Sequence, residues 1–345
     1  MSTNRFPRAL KALATTAVAA LALVGCQAGS PGASETTGAA GTGEPLTIGL
    51  TYTPNIQFAP FYVAEELGYF DEAGVNVELR HHGESEELFG ALKTGDEQLV
   101  YAGGDEIVQG VSGGVPVQSV ATLYNTYPAV LIVPADSDIQ SAADLAGHSV
   151  GTPGPYGQTY FALLAMLEGA GLSEADVDVQ HIGFTQQAAL SSGKVDAVMG
   201  FANNDAVQFA AQGMDVRVIE AVDSSAPTLV GPALGAETSV IAERGSDVTA
   251  VLGAVKQAIE YIAQNPDETI EISASYIPTM TTQEQKDAAL ATLEATIPLM
   301  EADGDLPLLT NNPDTWAAMT EFMLEAGIIT EPVAPEDAFT NELLP

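Results

Sequence analysis

The sequence predicts an α/β fold made of two similar blocks, each a mostly parallel sheet flanked by helices. Three observations lead there. Short apolar runs alternate with helical patterns from residue 46 onward, the alternation restarts near residue 149, and one motif recurs at a fixed offset. Strands alternating with helices favour a largely parallel sheet, because each crossover helix returns the chain to the same edge.

The elements follow in order. Leu46-Thr47-Ile48-Gly49-Leu50 alternates as a short strand, and a polar loop over 51–57 follows. Residues 60–67 read as a helix, with Pro60 in its first turn and Gly68 at its end, the usual asymmetry. A strand is predicted over 75–79, a helix over 86–93, a strand over 99–102 and a helix over 105–111. Two more strands, 117–124 and 129–133, close the first block. The second block runs strand 149–151, helix 158–168 ending at Gly169, strand 177–182 and helix 185–190. It finishes with strand 195–200, helix 204–211 and strand 216–221. Beyond about Val240 the pattern is helical, over 248–264, 282–302 and 313–325.

The recurring motif is Ala91-Leu92-x-x-Gly95 before one strand and Ala189-Leu190-x-x-Gly193 before another, 98 positions apart. At that offset Asp105 falls on Asn203 and Glu106 on Asn204. Ligands of open α/β sheets bind beyond the carboxyl ends of strands. Two such blocks facing each other would form a cleft lined by both loops.

The amino terminus carries a different signal. Arg5, Arg8 and Lys11 precede an apolar run over 13–24 that is too short to span a bilayer comfortably. It ends in Leu23-Val24-Gly25-Cys26. A basic start, a short apolar core and small residues at the cut describe a secretory signal over 1–25. A cysteine at this place resembles a bacterial lipobox, which implies acylation of Cys26. Residues 26–45 are poor in large apolar side chains and read as a flexible tether. Cys26 is the sole cysteine of the chain, so the mature domain can hold no disulfide, cysteine-zinc site or cysteine nucleophile. About 300 residues with 46% hydrophobic composition suffice for two cored domains.

The net charge is −36, and three of the ten basic residues lie in the signal, so 7 basic face 46 acidic side chains beyond it. Nucleic-acid binding is excluded, because it needs clustered Lys and Arg to neutralise phosphate. Surplus surface carboxylate suits solubility in salty or acidic surroundings.

The segment Thr53-Pro54-Asn55-x-x-Phe58-Ala59-Pro60-Phe61-Tyr62-Val63-Ala64, running on to Leu67-Gly68-Tyr69-Phe70, resembles the opening of one receptor family. These are the ABC-importer receptors for thiamine pyrimidine precursors and their relatives, including riboflavin, alkanesulfonate and nitrate receptors. Asp144-Leu145-x-Gly147, Gly154-x-x-Gly157 and Gly193-x-Val195-Asp196-Ala197 add to the likeness, which covers nearly all of 46–345. Asn55-Ile56-Gln57-Phe58-Ala59-Pro60 together with Gly200-Phe201-Ala202-Asn203-Asn204 resembles the vitamin-precursor branch, especially riboflavin receptors. The resemblance implies a two-lobed periplasmic-binding-protein-like fold of type II that closes over a small molecule. The expected lobes are 46–133 plus 223–345, and 134–222. It also implies a monomer that meets ABC permease and ATPase subunits outside the cytoplasm, held to the membrane only through its lipid anchor.

Candidate contacts fall on the loops at strand ends. Asn55, Gln57 and Phe58 can read heteroatom edges and stack on a ring, with Tyr62 behind them; the same residues would also serve as turn and core. In Gly103-Gly104-Asp105-Glu106, Asp105 is taken as the helix cap and Glu106 as the ligand contact. Tyr124 and Tyr127, near the first crossover, can sandwich a planar ligand or pack in the core. Tyr156 can act as a lid over Gly151-x-x-Gly154-x-x-Gly157, while Phe201, Asn203 and Asn204 supply the opposing loop. The glycine loop lacks the Gly-Lys-Ser/Thr of a nucleotide-binding loop and the Gly-x-Gly of a dinucleotide fold, so no cofactor is expected. His81 and His82 are adjacent and point to opposite faces of a strand, so no metal site is expected, and His148 and His181 read as structural. The cleft loops carry no Lys or Arg, which disfavours sulfonate and nitrate and favours a neutral or weakly basic planar heterocycle. Capture for import is the preferred function. A pyrimidine phosphate synthase-like enzyme would bring a cysteine-rich motif that this mature domain lacks, and a sensor receptor is the remaining alternative.

Overall fold

The computed structural model describes residues 43–51, 53–83, 86–223, 228–301 and 306–345. The signal segment, Cys26 and most of the tether lie outside the described residues. Among the described residues, no helix is long and apolar enough to cross a membrane.

Two five-stranded sheets organise the chain. The first contains β1 Leu46–Leu50, β2 Val77–His81, β3 Leu99–Gly103, β4 Val117–Thr122 and β10 Pro232–Glu237, in the order β2-β1-β3-β10-β4. The second contains β5 Ala129–Pro134, β6 Ser149–Thr152, β7 Asp178–His181, β8 Ala197–Phe201 and β9 Val216–Glu220, in the order β7-β6-β8-β5-β9. The two orders are the same pattern. In each sheet three strands are supplied parallel by one block, and the fourth neighbour, β10 or β5, runs antiparallel to both its partners. β3 and β8 are equivalent strands and stand 98 residues apart, so the recurring motif marks a real repeat of the fold.

The sheets correct one expected boundary. Residues 129–133 were assigned to the first lobe, but β5 pairs with β8 and β9 and is central in the second sheet. The chain therefore crosses between Thr122 and Ala129, and returns between Glu220 and Pro232. The two crossings run side by side: Leu123 N (2.8 Å) and Tyr124 N (3.2 Å) both donate to Pro232 O.

The helices are α1 Ala59–Glu66, α2 Tyr69–Glu72, α3 Gly90–Thr94, α4 Gly104–Ser112, α5 Gly157–Gly169 and α6 Gln186–Ser191. They continue as α7 Asp205–Ala211, α8 Thr238–Gln264, α9 Pro266–Ser273, α10 Gln283–Met300, α11 Pro313–Glu325 and α12 Pro335–Ala338. The helix predicted over 86–93 is shorter and later, since α3 begins only at Gly90. α8 begins ten residues before the predicted start, because the Glu237 carboxylate accepts from Ser239 N and Val240 N and caps it. Its backbone kinks at Arg244, where φ is −128°.

Burial follows the layers. One core packs β1, α1 and α8 beneath the first sheet, with Ile48, Phe61 and Val251 fully enclosed. A second core joins the sheets, placing Val100, Ala102 and Ile107 of the first against Leu131, Ala162 and Met199 of the second. Trp316 is sealed in that core and stacks on Phe339 with ring centroids 5.5 Å apart. The outer face of the second sheet is covered by α6 and α7 through Leu190 and Phe209.

Candidate ligand-binding cleft

A cavity of about 340 Å³ lies where β1, β3, β6 and β8 end, between the two sheets. Ligand sites in sheets of this kind sit at strand carboxyl ends, and the volume is in the ordinary range for a small-molecule pocket. The first sheet contributes Thr51, Asn55, Gln57, Phe58, Tyr101 and Glu106 to the walls. The second contributes Tyr156, Gln158, Phe184, Phe201, Asn204 and Asp205. Among the described residues, no Lys, Arg, His or Cys lines it. A wider groove of about 630 Å³ runs outward along α10 and shares Asn55, Asn204 and Gln208 with the inner cavity.

Each wall has a local cause. The Asn55 side chain accepts from Gln57 N (3.0 Å), opening a short 3-10 turn over 56–58 that turns the loop into α1. Phe58 is buried with its ring edge-on to Tyr101 (5.3 Å between centroids), so both aromatic faces are held in place. Thr51 Oγ1 donates to Tyr101 O (2.7 Å), joining the ends of β1 and β3.

The two lobes meet where α4 packs against α5. Gly103 has no room for a side chain: an added Cβ would run into the Asp105 carboxylate and the stem of Gln158. Gly157 takes φ +75°, a conformation that L side chains rarely adopt, and opens α5 beside the Glu106 carboxylate. Gln158 is buried and its Nε2 has no hydrogen-bond partner. Buried polar groups are normally paired, so an orphan amide donor in a cavity wall marks a place where a partner is missing.

The acids at this junction divide their roles differently from the sequence expectation. Glu106, taken as the ligand contact, also makes the cap: its Oε2 accepts from Gly103 N (2.8 Å). Asp105, taken as the cap, is fully buried and bound elsewhere. Its Oδ2 accepts from the Tyr127 hydroxyl (2.7 Å), whose single proton is shared with Gln158 O (2.9 Å), and its Oδ1 accepts from Glu106 N (2.8 Å). Burial, then the Glu106 charge, push the Asp105 carboxyl well above the usual range, while the Tyr127 hydrogen bond works the other way.

In the second sheet the loop after β8 repeats this arrangement. Asp205 Oδ2 accepts from Phe201 N (2.8 Å), as Glu106 does from Gly103 N. Burial pushes the Asp205 carboxyl up to about 6, against an ordinary 3.8. Part of the residue is exposed by surface area, yet its carboxyl is enclosed by the cavity walls. The second loop is one residue longer, four positions against three, so the true counterpart of Glu106 is Asp205 and not Asn204. Asn204 does line the cavity, where its Oδ1 accepts from Gln208 Nε2 (2.5 Å).

Seven of the eleven expected contact residues line the cavity: Asn55, Gln57, Phe58, Glu106, Tyr156, Phe201 and Asn204. Four do not. Tyr62 is fully buried behind Phe58, stacked on Tyr276 (4.6 Å, 9°) with its hydroxyl 3.2 Å from His81 Nε2. Tyr127 is the interlobe bolt described above. Tyr124 is buried in the first core. Its hydroxyl faces Tyr101, Thr296, Gln57 and Asn203 without closing a well-formed hydrogen bond, and burial pushes it up to about 12. Asn203 is buried beside the cavity and donates from Nδ2 to Thr296 Oγ1 (2.8 Å).

Other residues line the cavity without having been singled out, notably Asp205, Phe184, Gln158 and Tyr101. A one-residue shift in the repeat would have found Asp205. Phe184 carried only a weak signal, a ring following Gly183 in a loop, and it is 56% exposed at the mouth with Tyr156 at 44%.

The histidines call for one further observation. His148 pairs with Asp196 (3.6 Å) and His181 Nδ1 meets Thr152 Oγ1 (3.1 Å), so both have structural partners. No metal site was expected at His81 and His82. The fold nevertheless gathers one ligand atom each from His82, Glu86 and Glu97 within 4.8 Å of one another. Glu97 was invisible as a partner because it lies on the loop before β3. Arg80 already bridges Glu97 (2.5 Å) and Glu86 (2.7 Å), supplying the positive charge this group of acids needs.

Comparison with known proteins places the chain. The NMT1/THI5-like family profile matches residues 55–269, more than half of its length. The chain belongs to the NMT1/THI5-like family. It is 33% identical to the riboflavin-binding protein RibY of Chloroflexus aurantiacus over 92% of this chain and 91% of that one. It is 26% identical to the formylaminopyrimidine-binding protein of Halalkalibacterium halodurans, over 86% of this chain and 90% of the relative. Among solved structures, the periplasmic aliphatic sulphonate binding protein SsuA of Escherichia coli superposes with a TM-score of 0.68. That match covers 86% of this chain and 92% of the other at 18% identity, a likeness of fold. The suspected receptor family and the two-lobed α/β architecture are thus both established.

Proposed function

We propose that this NMT1/THI5-like protein is the extracytoplasmic receptor of an ABC importer, capturing a planar heterocyclic vitamin or precursor and delivering it to a permease. The ligand is riboflavin-like or a thiamine pyrimidine precursor, and Cys26 anchors the protein to the membrane. The observation that carries this reading is the cavity: aromatic rings from both sheets, amide side chains and, among the described residues, no basic group in its walls. Rings bind a planar molecule by stacking, and amides read its heteroatoms. The names of the relatives bear in the same direction.

A sulfonate or nitrate would meet the carboxylates of Glu106 and Asp205 in the cavity walls. The direct test is mass spectrometry of whatever small molecule co-purifies with the secreted protein. Recovery of a flavin or pyrimidine is the expected result, and recovery of a sulfonate would overturn the assignment.

A further inference from the structure

We infer that the receptor takes a two-part ligand, a planar head in the inner cavity and a neutral, hydroxyl-bearing tail that leaves through a neck of amide side chains into the groove along α10, and that the groove rejects a tail ending in phosphate. This rests on the proposed receptor function and adds to it the chemistry of the ligand's second part.

The space is continuous. Asn55, Asn204 and Gln208 line both the inner cavity and the outer groove, so they form the passage between the two. The inner cavity holds about 340 Å³, near the lower end of the roughly 300–1,000 Å³ usual for small-molecule sites. The groove adds about 630 Å³, and a ligand larger than its ring system extends into it. The neck is held in shape by its own bonds. Asn55 Oδ1 accepts from Gln57 N, while Gln208 donates to Asn204 Oδ1 and accepts from Gln187 Nε2 (3.0 Å). Amides carry both donors and acceptors, which suits a tail of hydroxyls; an apolar tail would strip water from them and return no bond. Beyond the neck, Gln212 at the end of α7 faces Ala288 and Ala291 of α10, whose small side chains leave the room a tail would fill. A tail lying there touches both lobes and so favours the arrangement in which the groove exists.

Charge decides what the tail can end in. Glu284 and Asp287 of α10 line the groove, and among the described residues no Lys, Arg or His does. Lys286 lies between them in sequence but turns to Glu271, with Nζ 2.5 Å from Oε2. A helix start can hold a phosphate, yet the start of α10 is already served. Thr282 Oγ1 accepts from Gln285 N (3.3 Å), and Glu284 sits in the first turn, where its charge offsets the helix dipole. The protein as a whole carries a net charge of −36. A phosphomonoester brings about −1.5 to −2 more at neutral pH, against carboxylates whose field reaches about 10 Å at 0.1 M salt. The receptor therefore takes the free alcohol. A phosphorylated form must first lose its phosphate to water, giving the alcohol and inorganic phosphate, before it is captured.

The test is calorimetric titration of the wild-type protein, of Ala288→Phe, and of a double variant carrying Glu284→Gln and Asp287→Asn. The probes are riboflavin, lumiflavin (the same ring with a methyl group in place of the hydroxylated tail), riboflavin phosphorylated at the end of its tail, and an aminopyrimidine. Wild type should bind riboflavin about tenfold or more tightly than lumiflavin, because the tail adds hydrogen bonds. The phosphate ester should bind about tenfold or more weakly than riboflavin at low salt, and the gap should narrow as salt is raised. Ala288 is exposed on its helix, so Ala288→Phe fills the groove without entering a core. It should weaken riboflavin to the level of lumiflavin and leave lumiflavin unchanged. The double variant should narrow the gap between riboflavin and its phosphate ester at fixed salt. Melting of the unliganded variants separates misfolding from lost contact, and the wild-type probe series stands without any variant. If wild type binds riboflavin and lumiflavin equally and Ala288→Phe changes neither, the groove is no subsite, while the receptor reading survives. A phosphate ester bound as tightly as riboflavin would overturn the exclusion of phosphate. Binding of the aminopyrimidine alone would overturn the two-part ligand and leave the receptor function standing. If wild type binds none of the four probes, both readings fall.

Discussion

Asn203 Nδ2 donates to Thr296 Oγ1 at 2.8 Å, tying the loop after β8 in the second sheet to α10, which belongs with the first. Thr296 Oγ1 in turn donates to Thr292 O (2.7 Å), so the tie is anchored in the α10 backbone. Both residues are about 1% exposed, so water cannot replace the bond while the lobes are together. Asn203 lines no part of the cavity, so its bond is a tie between the lobes. Asn203→Ala and Thr296→Val should each cost about 0.5–1.5 kcal/mol, with a coupling of that order in the double variant. Denaturant unfolding measures the coupling, and small-angle scattering should show the unliganded variants more open. Additive effects with unchanged scattering would reduce this bond to a local packing detail.

Tyr127 is a second bolt, on the opposite side of the junction. Its single hydroxyl proton is shared between Asp105 Oδ2 of α4 and the Gln158 carbonyl of α5. Tyr127→Phe preserves the ring and leaves the fully buried Asp105 without that donor. A buried polar group so orphaned costs about 1–3 kcal/mol, and the melting temperature should fall accordingly. An unchanged melting temperature would mean that Asp105 is protonated and satisfied without the tyrosine.

The same junction shows what was legible in the sequence and what was not. β3 and β8 read plainly, being short apolar runs preceded by a glycine turn, and their spacing of 98 residues carried the repeat. β10 was missed. Pro232-Ala233-Leu234-Gly235-Ala236-Glu237 has no β-branched residue, because it is wedged between β3 and β4, where a Cβ on Gly235 would strike Val117. Local propensity cannot signal a strand chosen for thinness. Tyr124 and Tyr127 were correctly placed on a crossover but wrongly aimed. Crossover segments have no periodicity to say which side chain faces the cavity. Asp205 was hidden by a single inserted residue, since a fixed offset lands on Asn204.

Ligand class can be tested without knowing the natural ligand. With rings and amides in the walls and no cation among the described lining residues, riboflavin or an aminopyrimidine should raise the melting temperature, while taurine and nitrate should not. At about 100 times the dissociation constant, a ligand adds roughly 2.7 kcal/mol of stability, well above the noise of a thermal-shift assay. A selective response to taurine or nitrate would show that backbone amides compensate for the missing cation, and the heterocycle assignment would fall.

Membrane attachment is tested by Cys26→Ala, on the strength of Leu23-Val24-Gly25-Cys26. The variant should leave the membrane fraction and appear soluble outside the cytoplasm. Retention in the membrane fraction would exclude the acyl anchor.

The last prediction concerns pH and Asp205. In the unliganded protein its carboxyl titrates near 6, raised from 3.8 by burial. A ligand donor favours the charged form and so lowers that value in the complex. Below about pH 6 the proton and the ligand therefore compete, and affinity should rise as pH goes from 5 to 7, by up to about tenfold for one proton. Stability of the unliganded protein moves the other way. Between about pH 4 and 6 the unfolded chain has released this proton while the folded chain still holds it, so the contribution of Asp205 falls as pH rises through that window. Above 6 it is flat. Glu106 faces the same cavity and Asp105 lies behind it, so the effect of Asp205 is read as the difference between wild type and Asp205→Asn. Removing the titrating group should flatten both slopes in the variant, so the difference carries them. Titration calorimetry at pH 5, 6 and 7, with unfolding at the same three values, gives both. Parallel pH profiles for wild type and Asp205→Asn would mean that Asp205 neither titrates in this range nor meets the ligand.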